Sequence, residues 1–280
     1  MKRTGVLVMA CLLTACAGTT NTAARRANRG RKARPISVEL GKVFEKGNRT
    51  LLYGGKLETS HFDITKSSLK SEQLHYGIGR EVFQALTEPR FDSAKKANRW
   101  LKKGDRVLAL KDGKSVKVYP ISLLKHHEVV NDVVDGRAIF AAYCILADLG
   151  AVYERTLAGR THTFALSGYT YFDPKVWEGL DGFVLWDRET ESLWWPQSGK
   201  AVSGPMLDAP MRVLDEARWS QTTWGEINSE YPDARVLAKG QKFTQTAEQI
   251  KFGNKYKGER FSGKAPEDAI APHWGGNKAL

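Results

Sequence analysis

Cysteine is scarce in this chain: three in 280 residues, too few for a scaffold held by disulfides. Long apolar runs are missing as well. The longest, Val6 to Ala15, falls far short of the roughly 20 residues that span a bilayer, so an integral membrane protein is not expected. There is no Gly-rich phosphate loop, no serine elbow, no Walker pattern and no pair of histidines four apart. Phosphoryl transfer, α/β-hydrolase chemistry and zinc-protease chemistry are therefore left without a motif. Acids are outnumbered: 31 Asp and Glu stand against 43 Lys and Arg, for a net charge of +12. No internal repeat is visible. What the chain does have is 41% apolar residues and 10% aromatics. That supports a sizeable core and is not the composition of a disordered chain or a low-complexity fibre. The length allows one large domain or two small ones.

The N-terminus reads as an export signal. Lys2 and Arg3 form a positive start, Gly5 to Leu13 a short apolar stretch, and small residues follow. Leu13-Thr14-Ala15-Cys16 resembles the lipobox of bacterial lipoproteins. That resemblance implies removal of residues 1–15, with acyl chains such as palmitate added to the Cys16 thiol and its new amino group. Two or three chains on one residue anchor stably where a single chain is marginal. The alternative is an ordinary signal peptide with an incidental cysteine. Residue 17 is Ala rather than Asp, which by analogy with lipoprotein sorting favours the outer membrane, facing periplasm or cell surface.

Residues 16–34 read as a lipidated cysteine and a basic, flexible tether. Arg25, Arg26, Arg29, Arg31, Lys32 and Arg34 lie there without an acid. Once the leader is gone, this stretch holds more than half of the net charge. It is either a membrane-attracting segment or a solvated spacer. The basic run lies outside the cytoplasm and the remainder is only mildly basic, so nucleic acid is excluded as a partner.

Residues 35–240 read as a single folded domain, and 241–280 as a Lys- and Gly-rich extension. Ser93 caps a helix through Ala94, Ala97 and Trp100. Four hairpins follow. The first runs Val107–Leu110, Lys111-Asp112-Gly113-Lys114, Val116–Tyr119. The second turns at Asp135-Gly136, the third (Ala151–Leu157 with Arg160–Ser167) at Ala158-Gly159, and the fourth at Arg188–Glu191. A helix around Thr222–Tyr231 is stopped by Pro232. The expected fold is mainly β: an antiparallel, hairpin-rich sheet, curled or barrel-like, with a few peripheral helices.

Five stretches carry a family resemblance. They are His75-Tyr76-Gly77-Ile78-Gly79-Arg80; Tyr119-Pro120 with His127-Glu128-Val129-Val130-Asn131-Asp132; Tyr143-Cys144; Asp187-Arg188-Glu189-Thr190 with Ser192-Leu193-Trp194; and Trp224-Gly225-Glu226. Together, over about 75–238, they resemble a bacterial family catalogued as domain of unknown function 3179. The resemblance implies a secreted or lipid-anchored protein and carries no activity. Family members often read Tyr-Cys-Pro-Leu-Cys where this chain reads Tyr143-Cys144-Ile145-Leu146-Ala147. Ala147 stands where the second cysteine would be, so a two-cysteine redox or metal mechanism is unavailable to this chain alone.

The Asp135-Gly136 turn carries one chemical expectation. With a two-residue loop, Val134 faces Arg137, and counting outward sets Cys144 opposite His127 and Tyr143 opposite Glu128. Opposed Cβ atoms lie about 4.5–5.5 Å apart on one face, within reach of an imidazole for a thiol. Three readings follow: a small buried side chain, a soft-metal site for copper or zinc, or a catalytic thiol. A helix through Ser122–Glu128 would break the pairing. His162, opposite Arg155 across the Ala158-Gly159 turn, is a weak third ligand. Asp187, Arg188 and Glu189 read as a clamp holding a hairpin, or as a binding group, with Glu128 and Trp194 as further candidates. Trp177, Trp186, Trp194 and Trp195 read as core packing, or as an exposed pair for stacking on glycan. The leading expectation is a lipid-anchored envelope protein binding a soft metal. The second is a non-catalytic envelope module recognising glycan or a protein partner through Trp-rich hairpins. The third is a thiol enzyme.

Overall fold

The computed structural model describes residues 40–176 and 182–241. The leader, Cys16, the basic tether, Trp177 and the extension beyond Gln241 lie outside the described residues. All that is described belongs to one compact unit, Arg34–Leu280.

The fold is mainly antiparallel β, arranged as separate sheets that do not close into a barrel. A tryptophan sheet has the strand order Lys200–Ala201, Leu193–Trp195, Gly182–Asp187, Phe164–Tyr171, Leu74–Tyr76. A cysteine sheet runs Arg212–Val213, Leu149–Glu154, Arg137–Cys144, Val129–Val134. A helix-covered sheet runs Trp219–Thr223, Arg106–Asp112, Ser115–Pro120, Arg235–Leu237, Phe91–Ser93. Its Arg235–Leu237 strand lies parallel to Ser115–Pro120 and antiparallel to Phe91–Ser93. A small N-terminal sheet joins Val43–Lys46, Arg49–Leu52 and Phe62–Asp63.

Strand periodicity divides the side chains among three cores. Leu108 and Leu110, Phe164 and Leu166, Leu185 and Trp194 face a central core with Val130, Phe140 and Cys144. Their neighbours face outward into two others. Ala165, Val184, Trp186, Leu193 and Trp195 pack with Leu52 and Phe62 of the N-terminal sheet. Val107, Ala109, Val116 and Val118 pack beneath the helices Ala94–Ala97 and Trp224–Glu230. Two sheets covered on both faces explain why Val107-Leu108-Ala109-Leu110 is unbroken apolar sequence rather than alternating.

Local chemistry sets the punctuation. Ser93 Oγ accepts from the Lys96 amide at the start of Ala94–Ala97. Thr223 and Glu226 form a reciprocal capping box on Trp224–Glu230. Asp135 and Gly136 both have positive φ, 52° and 71°, as a two-residue hairpin with the twist of its strands requires.

Two expectations need correction. The turn at Ala158-Gly159 closes only the short pair Thr156–Leu157 and Arg160–Thr161. Its flanking strands belong to different sheets: Leu149–Glu154 pairs with Arg137–Cys144, and Phe164–Tyr171 with Gly182–Asp187. Ile121–His127 is a helix, with Ile121, Leu124 and His127 buried at a spacing of three, so the Val129–Val134 ladder ends at Val129 opposite Ala142.

Candidate functional site

Strand counting from Asp135-Gly136 reaches Val129 and fails beyond it. The Tyr143 amide still donates to the Glu128 carbonyl at 2.8 Å, but Glu128 has turned into the left-handed region, φ 57°, to end the helix. This rotation puts the carboxyl of Glu128, rather than the imidazole of His127, into the electrostatic environment of the Cys144 thiol. His127 Nδ1 instead donates to the Gln84 carbonyl at 2.8 Å, and burial holds its pKa down.

Both members of the Glu128–Cys144 pair are buried. Burial pushes the Glu128 carboxyl up to about 8, against the pull of the Ile145 amide that donates to it. Burial, then the Glu128 carboxylate, push the Cys144 thiol up to about 12. The Ala147 amide donates to Cys144 Sγ at 3.5 Å, with Phe183 and Leu146 amides also favouring the thiolate. These dipoles do not offset desolvation, and both groups hold their protons at neutral pH. A reactive thiol needs a neighbouring cation; this one has an acid.

His162 belongs to a different constellation. It reaches the tryptophan sheet because the chain crosses between sheets at Arg155–Thr163, where the His162 amide donates to the Arg155 carbonyl at 2.8 Å. Its Nδ1–H donates to Asp187 Oδ1 at 2.9 Å. Asp187 also accepts from the Thr190 amide at 2.8 Å, from Thr190 Oγ1 at 2.7 Å and from Trp194 Nε1 at 2.8 Å. Glu189 Oε2 accepts from the Thr163 amide at 2.6 Å. Among the described residues, His162, Asp187 and Glu189 are the group of three potential metal ligands whose donor atoms lie within 4.8 Å of one another. Cys144, His127 and His162 form no such group among them.

Arg188 points the other way, holding both Glu81 oxygens at 2.7 and 3.1 Å. Arg80 completes a crossed pair, reaching Glu191 at 2.8 Å while its guanidinium lies 3.7 Å over the Trp186 ring. The Arg188–Glu191 turn is thus fastened to the Gly77–Glu81 loop. Trp186, Trp194 and Trp195 are all buried, so none offers a face for stacking on sugar.

Two buried networks carry no single-residue signature in the sequence. Lys117 Nζ meets both Asp132 oxygens at 3.1 and 2.9 Å, and Tyr119 donates to Asp132 Oδ2 at 2.7 Å. Arg106 pairs with Asp148 at 2.7 Å, and the Tyr143 hydroxyl donates to the same oxygen. Asn131 imitates a strand partner, accepting from the Phe164 amide and donating to the Phe164 carbonyl, each at 2.9 Å. The signal available was indirect: Asn131 and Asp132 are polar positions inside an otherwise apolar strand.

A family model described as a protein of unknown function, DUF3179, matches residues 81–266. The chain belongs to this DUF3179 family. No curated protein and no solved structure matches it. The DUF3179 match takes in the Glu128–Cys144 pair, the Asp187 cluster and both ion-pair networks. Of the stretches behind the resemblance, Gly77-Ile78 is held to the tryptophan sheet: both amides donate to the carbonyl of Gly168, in the strand paired with Gly182–Asp187.

Proposed function

We propose that this DUF3179 protein is a lipid-anchored cell-envelope protein whose folded domain is a non-catalytic binding module. The observation that carries the second half is the saturation of the Asp187 and Asp132 carboxylates together with the burial of the Cys144 thiol. Asp187 accepts four hydrogen bonds, and Asp132 accepts from Lys117, Tyr119 and the Val133 amide. The Cys144 thiol is buried with a pKa near 12. A nucleophile or general base needs an open lone pair at a pKa near working pH. These groups hold sheets together instead. The anchor rests on Leu13-Thr14-Ala15-Cys16, with the outer membrane as the destination that Ala17 favours.

Cell fractionation tests the anchor. Cys16→Ser should leave the chain unprocessed or soluble; a variant that is processed normally and stays on membranes after a salt wash removes the proposal. The non-catalytic half predicts that Cys144→Ala folds and rescues whatever cellular phenotype deletion of the gene exposes. A folded Cys144→Ala protein that behaves as the deletion overturns it.

One observation favours a second reading, a divalent-metal site at His162, Asp187 and Glu189. A histidine held by a carboxylate is a common metal-ligand arrangement, and nitrogen with oxygen donors suits zinc better than copper(I). Against it, Asp187 already accepts from four donors, at least one of which a metal bound to its carboxylate must displace. Calorimetry with zinc decides: stoichiometric binding lost in both His162→Ala and Glu189→Gln supports the site, and no heat beyond dilution removes it.

A further inference from the structure

Along Val43–Lys46 the strand alternates. Val43 packs toward the core shared with Leu52 and Phe62, which turns Phe44 and Lys46 to the outside. Three large apolar residues stand exposed in this region: Leu40 at 63%, Phe44 at 38% and Leu57 at 72%. The Lys46–Glu58 ion pair draws the loop carrying Leu57 to the same side. His61, just beyond that loop, stands edge-on to Phe44 with centroids 5.2 Å apart. Lys42, Lys46, Arg49 and Lys56 lie in the same stretch of chain, Lys46 paired with Glu58 and Arg49 with Asp63.

We propose that this outer face of the N-terminal sheet docks on the phospholipid surface that holds the anchor. The inference rests on the lipid anchor proposed above and adds an orientation to it. Exposed aliphatic and aromatic tips in a stretch that also carries lysine and arginine match the boundary between acyl chains and headgroups. A glycan is the poorer fit, because Phe44, His61 and Tyr53 pack against one another and Leu40 and Leu57 offer no ring to stack on.

The course of the chain supplies the second argument. Leu40, the first described residue, leads directly into the strand that carries Phe44. It lies 24 positions after Cys16, so the patch stays within about 85 Å of the bilayer even with the intervening chain fully extended at roughly 3.3–3.6 Å per residue. Between them sit Arg25, Arg26, Arg29, Arg31, Lys32 and Arg34, complementary to anionic headgroups. Tethering makes docking an intramolecular step, so a face too weak to bind lipid from solution is occupied once anchored.

The test attaches an environment-sensitive fluorophore at Leu57→Cys in the full, processed chain; the buried Cys144 thiol does not compete for label. The protein is reconstituted on vesicles of three parts phosphatidylcholine to one part phosphatidylglycerol. The probe should be at least threefold less accessible to aqueous iodide than the same probe at Val133→Cys, a position 53% exposed in the cysteine sheet. Adding Phe44→Glu should restore accessibility, with circular dichroism showing the fold intact. A chain that co-sediments with vesicles while both probes are equally accessible overturns the docking alone. A chain that stays in the supernatant with an unprotected probe overturns docking and anchor together. Protection without acylation supports the docking and removes the anchor. Protection by soluble envelope glycan but not by vesicles also overturns the membrane as partner.

Discussion

Glu128 keeps its proton at neutral pH in the folded protein because burial lifts its pKa to about 8, from an ordinary value of 4.5. Between those values the folded state binds the proton and the unfolded state does not. Stability from this group is therefore complete below about pH 4.5 and declines as pH rises through 8. The loss is on the order of a few kcal/mol, since each unit of difference is worth about 1.4 kcal/mol. Glu128→Gln should abolish that slope, and urea midpoints at pH 5, 6.5 and 8 measure it. Parallel pH profiles for wild type and variant would sink the argument. Cys144 has the same cause and a different readout. Its thiol should resist iodoacetamide at pH 8 in the native state and react readily in denaturant; fast native labelling would mean that it is accessible and ionised.

At the scale of turns and strands, two glycines are required for different reasons. Gly136 needs its φ of 71°, and a Cβ there would meet nothing within 4 Å. Gly136→Val should cost on the order of 1–3 kcal/mol, all of it torsional. Gly168 combines positive φ with a crossing so close that a Cβ would lie 2.1 Å from the Gly79 carbonyl oxygen. Gly168→Ala must push backbone from backbone, so denaturant midpoints should rank it as the more damaging change. Equal midpoints would refute the crossing. What could be read from the chain follows the same division. Asp135-Gly136, Ser93 and Thr223 act within a few residues, and those elements were legible. The route of Arg155–Thr163 was not, because Ala158-Gly159 sits in a turn whether its strands stay together or part to separate sheets. The influence of Glu128 on the Cys144 thiol was hidden because it depends on where a helix yields to a strand. Ile121, Leu124 and His127 carry the helical spacing, but nothing local marks Glu128 as the residue that turns left-handed. The Lys117–Asp132 pair was hidden by distance between strands.

Across the whole molecule, Lys117 and Asp132 join the helix-covered sheet to the cysteine sheet through a buried ion pair. Lys117→Met leaves a carboxylate buried without its cation and should cost about 3–5 kcal/mol. Adding Asp132→Asn should recover part of that loss, because the stranded charge is gone. A double-mutant cycle by thermal unfolding tests this, and strictly additive losses would mean that the two side chains are not coupled. The order of strands has a consequence in time. Arg235–Leu237 lies between Ser115–Pro120 and Phe91–Ser93, so a late segment fills an interior slot between two earlier ones. Until residue 237 has left the ribosome that sheet has a gap, and its apolar strands cannot pair across it. Phe91–Ser93, made early, therefore waits for a segment made more than 140 residues later before it gains its partner in the sheet.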